Sequence, residues 1–285
     1  MLDAIPFTKM QGVGNDFVVV EQKRVGPQNW PALALQMCSR HSGAGADGLL
    51  VIMRSSVADV RMRMFNPDGT EDMCGNGLRC VARYAAEHLL VLSDVMQVET
   101  IAGIRQATVH RDNSGAVNSI SVEMGEPNFQ PSAIPAIVDS DTIINFPLEL
   151  EPDIFFPVTV LSTGSAHAVT FVEVLPDDET FLSVSPLVES HPLFPERVSL
   201  MWCQITGENS IRIRIWERGA GETMGCGTGA CAAAVAAIYD NRVLKNTPIE
   251  VTSPGGVLEI SWNTRDEVIM RGPAETVYSA CYYLT

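Results

Sequence analysis

Lysine is scarce in this 285-residue chain, occurring only at Lys9, Lys23 and Lys245. None of the three stands beside a Gly-rich loop that could cradle a phosphate, which argues against a pyridoxal-phosphate Schiff base. Basic residues as a whole are few, 19 against 34 acidic ones. The formal charge of −15 would repel a phosphate backbone, so no nucleic-acid partner is expected. Long apolar runs are also missing, since Gly, Arg, Asp or Pro interrupts each within a few residues. No basic segment leads into an apolar stretch at the start, and neither export nor membrane spanning is expected. The seven cysteines are odd in number and include no Cys-x-x-Cys pair, the pattern of a reduced, cytoplasmic protein. What remains is ordinary globular material: 46% apolar and 19% charged residues, enough for one large or two ordinary domains.

The chain repeats itself. Met73-Cys74-Gly75-Asn76-Gly77 and Gly225-Cys226-Gly227-Thr228-Gly229 share a Cys-Gly-x-Gly core, and each precedes an Ala-rich stretch with apolar residues at helical spacing. Each Gly run therefore opens a helix. Upstream, Gly14-Asn15-Asp16-Phe17 leads into Val18-Val19-Val20-Glu21, as Gly164-Ser165-Ala166-His167 leads into a second apolar run. An alternating, strand-like segment ends just ahead of each Cys loop, at residues 60–65 and 211–216. Two similar halves are the simplest account. Residues 30–39 read as a short helix begun by Pro31, and 181–190 as another interrupted by Pro186. Strands outnumber helices, which favours mixed or antiparallel sheets. The Pro-rich stretch 127–152 reads as the crossover between halves, with domains expected at 1–126 plus 273–285 and at 127–272.

A helix start leaves backbone N–H groups unpaired and carries partial positive charge, so a Cys there is biased toward thiolate and an anion can dock beside it. The glycines at 75, 77, 227 and 229 are expected to clear side chains from that approach. A lone example would most simply be a small buried hydrophobe, but the duplication argues otherwise. Two thiols across one cleft suit removal of a proton from one face of a carbon and its delivery to the other. An amino-acid Cα proton is very weakly acidic, so its carboxylate must be held by donors that strengthen as negative charge develops.

These residues resemble diaminopimelate epimerase. The resemblance rests on Gly14-Asn15-Asp16-Phe17, on Phe65-Asn66-Pro67-Asp68-Gly69 and on Met73-Cys74-Gly75-Asn76-Gly77-Leu78-Arg79-Cys80. It continues in Glu217-Arg218-Gly219 with Gly221-Glu222-Thr223, and in Cys226-Gly227-Thr228-Gly229. It implies an α/β (α+β) fold of two pseudo-symmetric domains, each a mixed, mainly antiparallel sheet around a central helix, with the C-terminal strand returning to the first. It implies a cofactor-independent isomerase of lysine and peptidoglycan-precursor biosynthesis, interconverting LL- and meso-diaminopimelate. By matching position, Cys74 and Cys226 are the acid/base pair, and the amides of Gly75, Asn76, Gly227 and Thr228 hold the α-carboxylate. Asn15, Asn66 and Arg218 contact the substrate, His167 and Glu217 tune the cysteines, and Tyr278 lies at a homodimer interface. Ser165 and Ser199 stand where the family usually has asparagine, so distal recognition must use a shorter hydroxyl, a water or a shifted substrate.

Read without the family, Asn15 and Asn66 are turn residues serving their own backbone, and Arg218 is a solvated charge. The other cysteines, Cys38, Cys80, Cys203, Cys231 and Cys281, are expected in the core. No metal site is expected: the Cys spacings of six and five lack the tight loop of structural zinc. Gly12-Val13-Gly14 lacks the third glycine and the following helix of a dinucleotide loop. The rivals are a two-cysteine racemase of another amino acid, such as histidine or proline, and a noncatalytic amino-acid-binding protein on the same scaffold.

Overall fold

A computed structural model describes residues 4–152 and 154–284. The chain forms two compact units, residues 1–123 with 271–285, and residues 124–270.

In the first unit the strand Glu275–Tyr283 pairs antiparallel with Ala4–Gly12, which pairs antiparallel with Asn15–Glu21. Asn15–Glu21 runs parallel to Gly48–Met53, and Gly48–Met53 antiparallel to Val60–Phe65. Val60–Phe65 runs parallel to Val95–Thr100, followed antiparallel by Gly103–Arg111 and Val117–Gly125. Parallel neighbours need a crossover, and a helix supplies each: Trp30–Met37 for the first pair, Gly75–Glu87 for the second. The run Phe17-Val18-Val19-Val20 is buried throughout, as a strand covered on both faces requires. Val18 and Val20 join Trp30, Leu33 and Met37 in one core layer.

The second unit repeats the first six of these pairings in order. Ile143–Glu151 and Ile154–Ser162 are antiparallel, as are Ile154–Ser162 and Ala166–Phe171. Ala166–Phe171 runs parallel to Ser199–Gly207, across the helix Asp178–Glu189. Ser199–Gly207 is antiparallel to Ser210–Glu217. That strand runs parallel to Ile249–Ser253, across the helix Gly227–Tyr239, and Gly256–Trp262 follows antiparallel, with the strand Val268–Gly272 after it in the chain. Nearly every residue of Gly227–Tyr239 is buried, the burial of a helix enclosed by its own sheet.

Three expectations are corrected. The helix expected at 181–190 begins earlier, at Asp178, because the Asp177 carboxylate caps it by accepting from Thr180 N at 2.9 Å. The Pro-rich stretch 127–152 is not only connection: it contains the strand Ile143–Glu151, in which Pro147 stands opposite Pro157, so neither lacks a ladder donor it would need there. Cys281 is exposed rather than in the core, because its strand Glu275–Tyr283 lies open along most of its length.

Candidate functional site

Each strand ahead of a central helix ends in a turn that delivers a cysteine to the helix start. Cys74 has extended backbone angles (φ −135°, ψ 117°) and is the N-cap of Gly75–Glu87; its Sγ accepts from Gly77 N at 3.4 Å. Cys226 (φ −121°, ψ 113°) caps Gly227–Tyr239 in the same way, accepting from Gly229 N at 3.3 Å. A sulfur thus occupies the position that Ser, Thr, Asn or Asp oxygen usually fills, facing the positive end of the helix.

The second glycine of each motif has a packing role that differs from the expected clearance for an anion. A Cβ on Gly77 would lie 2.8 Å from Leu50 Cδ2, and one on Gly229 only 2.5 Å from Met201 Sδ. These glycines let the first helical turn sit flush on the sheet.

In the first unit, Asn15 Oδ1 lies 3.6 Å from Cys74 Sγ and accepts from Asn76 Nδ2 at 3.2 Å. The other end of the Asn15 amide donates to Asp47 Oδ2 at 2.8 Å. Asp47 also accepts from Asp16 N and from Arg40, and Arg40 pairs in turn with Asp16. Buried Lys9 completes the group, bonding Asp16 and the Gly45 carbonyl. The bonds of Asn66 lie within its own turn, to Thr70 and Gly69.

In the second unit, His167 is buried beside Cys226. Its Nδ1 lies 2.8 Å from the Ser165 carbonyl, which can only accept, so Nδ1 carries the proton and Nε2 presents a lone pair. Nε2 lies 3.8 Å from Cys226 Sγ and 3.3 Å from Thr228 Oγ1, with the Thr228 hydroxyl 3.4 Å from the same sulfur. Burial depresses the His167 pKa to about 4, with the positive field of Arg218 acting the same way, so the ring is neutral near pH 7. Ser165 donates to Thr228 Oγ1 at 3.4 Å. Ser199, opposite His167 on the neighbouring strand, accepts from Arg218 N at 3.1 Å. Glu217 accepts from the Thr223 hydroxyl, and exposed Arg218 donates to the Glu196 carbonyl. Among the described residues no three His, Cys, Asp or Glu side chains gather as a metal site.

Sequence reasoning missed two anchoring carboxylates, Asp47 and Glu189. Glu189 is buried and accepts from Gly219 N at 2.8 Å, Trp216 Nε1 at 2.6 Å and Arg197 at 3.1 Å, gripping the turn that carries Arg218. Neither has a local signal, because each acts on residues distant in sequence. Buried Cys80 is pushed up to about 12 by desolvation and stays a thiol. Tyr278 is 43% exposed and meets the Phe7 ring edge-on at 6.1 Å.

Solved structures share this architecture at low identity. A hydroxyproline epimerase from Agrobacterium vitis superposes with a TM-score of 0.72 at 14% identity, covering 100% of this chain and 94% of its own. A PhzF-family phenazine biosynthesis protein from Bacillus anthracis gives 0.69 at 17%, with 99% of each chain covered. The fold is thus the mixed α/β type common to those proteins. At the level of sequence, the family model for diaminopimelate epimerase matches residues 7–130 and 159–277. A diaminopimelate epimerase of Pelotomaculum thermopropionicum is 43% identical over 279 residues, 97% of this chain and 98% of its own length. That of Bacillus pumilus is 39% identical, over 99% of this chain and all of its own. The chain belongs to the diaminopimelate epimerase family.

Proposed function

We propose that this chain is a cofactor-independent epimerase that interconverts LL- and meso-diaminopimelate at one Cα, within lysine and peptidoglycan-precursor biosynthesis. Cys74 and Cys226 are its acid/base pair. One observation carries this reading: each Sγ is met by a backbone amide donor and by a side-chain acceptor. The donor is the amide of Gly77 or Gly229, and the acceptor is Asn15 Oδ1 or His167 Nε2. A donor favours the thiolate and an acceptor the thiol, so each sulfur is suited to both protonation states, as a two-base inversion requires in its two directions.

In each turnover one thiolate takes the Cα proton and becomes a thiol, leaving the electron pair on carbon, spread toward the carboxylate. The other thiol gives its proton to the opposite face of that carbon and becomes a thiolate. The amides of Gly75, Asn76, Gly227 and Thr228 hold the α-carboxylate through this change. Arg218 takes the distal carboxylate through its planar fork, with Asn66, Ser165 and Ser199 around it. Glu217 and His167 tune the sulfurs. Family membership supports the substrate.

We further propose that the enzyme works as a cytoplasmic homodimer. Exposed Val277, Tyr278 and Tyr283 on the strand Glu275–Tyr283 support the dimer, since such an apolar strand invites a partner. The compartment is supported by seven cysteines that form no disulfide among the described residues.

The test is deuterium entry at Cα of LL-diaminopimelate in heavy water under reductant, with histidine and proline in parallel. Conversion to the meso form with exchange, lost in Cys74→Ala and Cys226→Ala, is the expected result. Exchange of histidine or proline but not diaminopimelate moves the function to a racemase, and full activity in either cysteine variant ends the two-thiol mechanism.

A further inference from the structure

Asn15 could present either end of its amide to Cys74, and the two ends have opposite effects. An N–H directed at sulfur favours the thiolate, whereas a carbonyl oxygen favours the thiol and repels the anion. Which end faces Cys74 is decided on the other side of the amide. There Asn15 meets Asp47 Oδ2 at 2.8 Å, and an ionised carboxylate only accepts. The amide must therefore turn its NH2 to Asp47 and its oxygen to Cys74, where Asn76 Nδ2 also donates to it.

Asp47 is itself held in place. Its backbone N–H donates to the Asp16 carbonyl at 2.8 Å, through the parallel pairing that sets Phe17 against Gly48. Its Oδ2 takes a second bond from Asp16 N at 3.0 Å, and its Oδ1 takes Arg40 at 2.6 Å.

We propose that Asp47 is a positioning residue, which locks the Asn15 amide with its carbonyl toward Cys74 and so supplies the acceptor that keeps this sulfur able to return to the thiol. The inference rests on the assignment of Cys74 as one of the two bases. It gives the first unit a counterpart to the second, where the Ser165 carbonyl sets the His167 tautomer and turns a lone pair to Cys226. Two unlike devices, a carboxylate behind an amide and a carbonyl behind an imidazole, present the same kind of atom to the two thiols.

Asp47, Arg40, Asp16 and Lys9 are joined in sequence by ion pairs, and buried Arg79 lies on the helix that Cys74 caps. Cys80, six residues further along the helix, interacts with Cys74 but is desolvated and titrates only at about 12.

The experiment reads the protein without substrate. Wild type and variants are alkylated with iodoacetamide across a pH series, and the rates at Cys74 and Cys226 are separated by peptide mass spectrometry. The rate follows the thiolate fraction, so each cysteine reports its own midpoint. In Asp47→Ala the amide is released and can turn its N–H to sulfur. The Cys74 midpoint should fall by about one pH unit, giving roughly tenfold faster alkylation below it. Cys226 should not move, and buried Cys80 should stay unalkylated, which reports that the first unit is still folded.

Asp47→Asn separates orientation from charge. Two N–H donors, Asn15 Nδ2 and Asp16 N, converge on the retained oxygen and hold it in place, while exposed Arg40 can turn to solvent or keep Asp16. Cys74 in this variant should titrate as in wild type. In an Asn15→Ala background, Asp47→Ala should no longer shift Cys74. The proposal is overturned if Asp47→Ala leaves Cys74 at its wild-type midpoint, if Asp47→Asn shifts it as far as Asp47→Ala, or if the shift persists without Asn15. Because no turnover is measured, these outcomes stand apart from the substrate assay, which tests the epimerase reading itself.

Discussion

His167 links the site to the stability of the second unit. Its pKa falls from an ordinary 6.5 to about 4, chiefly through burial, with the field of Arg218 adding to the fall and the Ser165 hydrogen bond opposing it. The unfolded chain therefore binds a proton on this ring at pH values where the folded chain does not. Stability is complete above about pH 6.5 and is lost as the pH falls toward about 4. Between pH 7.5 and pH 4.5 the loss attributable to this ring is about 2.5 kcal/mol, at about 1.4 kcal/mol per pH unit over which only the unfolded state is protonated. The assay is urea unfolding at the two pH values for wild type and His167→Gln, whose amide stays neutral. Whatever stability the substitution costs at both pH values, the variant's difference between them should be smaller than that of wild type by about 2.5 kcal/mol. Equal differences would refute the claim that the ring is buried neutral. A variant that loses more stability on acidification than wild type would refute the sign.

Gly229→Ala puts a Cβ 2.5 Å from Met201 Sδ and 3.2 Å from Cys226 Sγ, so thermal unfolding should show a loss of roughly 1–3 kcal/mol, with Cys226 alkylation altered as well. Gly77→Ala should behave alike against Leu50, and an unchanged melting temperature in both would remove the packing explanation for these glycines. Glu189→Ala leaves Trp216 Nε1 and Gly219 N without their acceptor inside the second unit, which should cost about 3 kcal/mol in denaturant unfolding; a neutral result would mean that water replaces the carboxylate. Arg218→Lys, under the epimerase reading, should raise KM for diaminopimelate roughly tenfold or more with a smaller change in kcat, whereas an unchanged KM would take the distal carboxylate away from this residue.

Most of the element plan was legible because its signals are local. The alternating residues Val60–Phe65, the Ala-rich stretch after Cys226 and the Pro at the start of Trp30–Met37 each state a conformation within a few positions. The duplicated Cys-Gly-x-Gly runs likewise placed Cys74 and Cys226 at helix starts, where both are N-caps. Legibility failed where a weak signal competed with a strong one. Five prolines hid the strand Ile143–Glu151, and Pro186 drew attention from the cap at Asp177. It failed also for the open strand Glu275–Tyr283, where apolar composition suggested a buried Cys281 but pairing on one edge left it exposed.

What the sequence determined by itself was the chemistry available and its duplication: two thiols, each next to glycines and a helix, in halves that repeat. Those are properties of neighbouring residues, and local sterics and hydrogen bonding are enough to produce them. What only the tertiary structure decided was the company each sulfur keeps. Phe17 and His167 hold corresponding places in the repeat, each opposite the first residue of the parallel strand, yet only His167 brings a ring nitrogen to a cysteine. Asp47 reaches Asn15 because parallel pairing lays the end of a loop beside residue 16, across a separation of 31 positions. Hydrogen-bond direction at a side chain depends on which acceptor lies behind it, and that is settled by the pairing of distant strands.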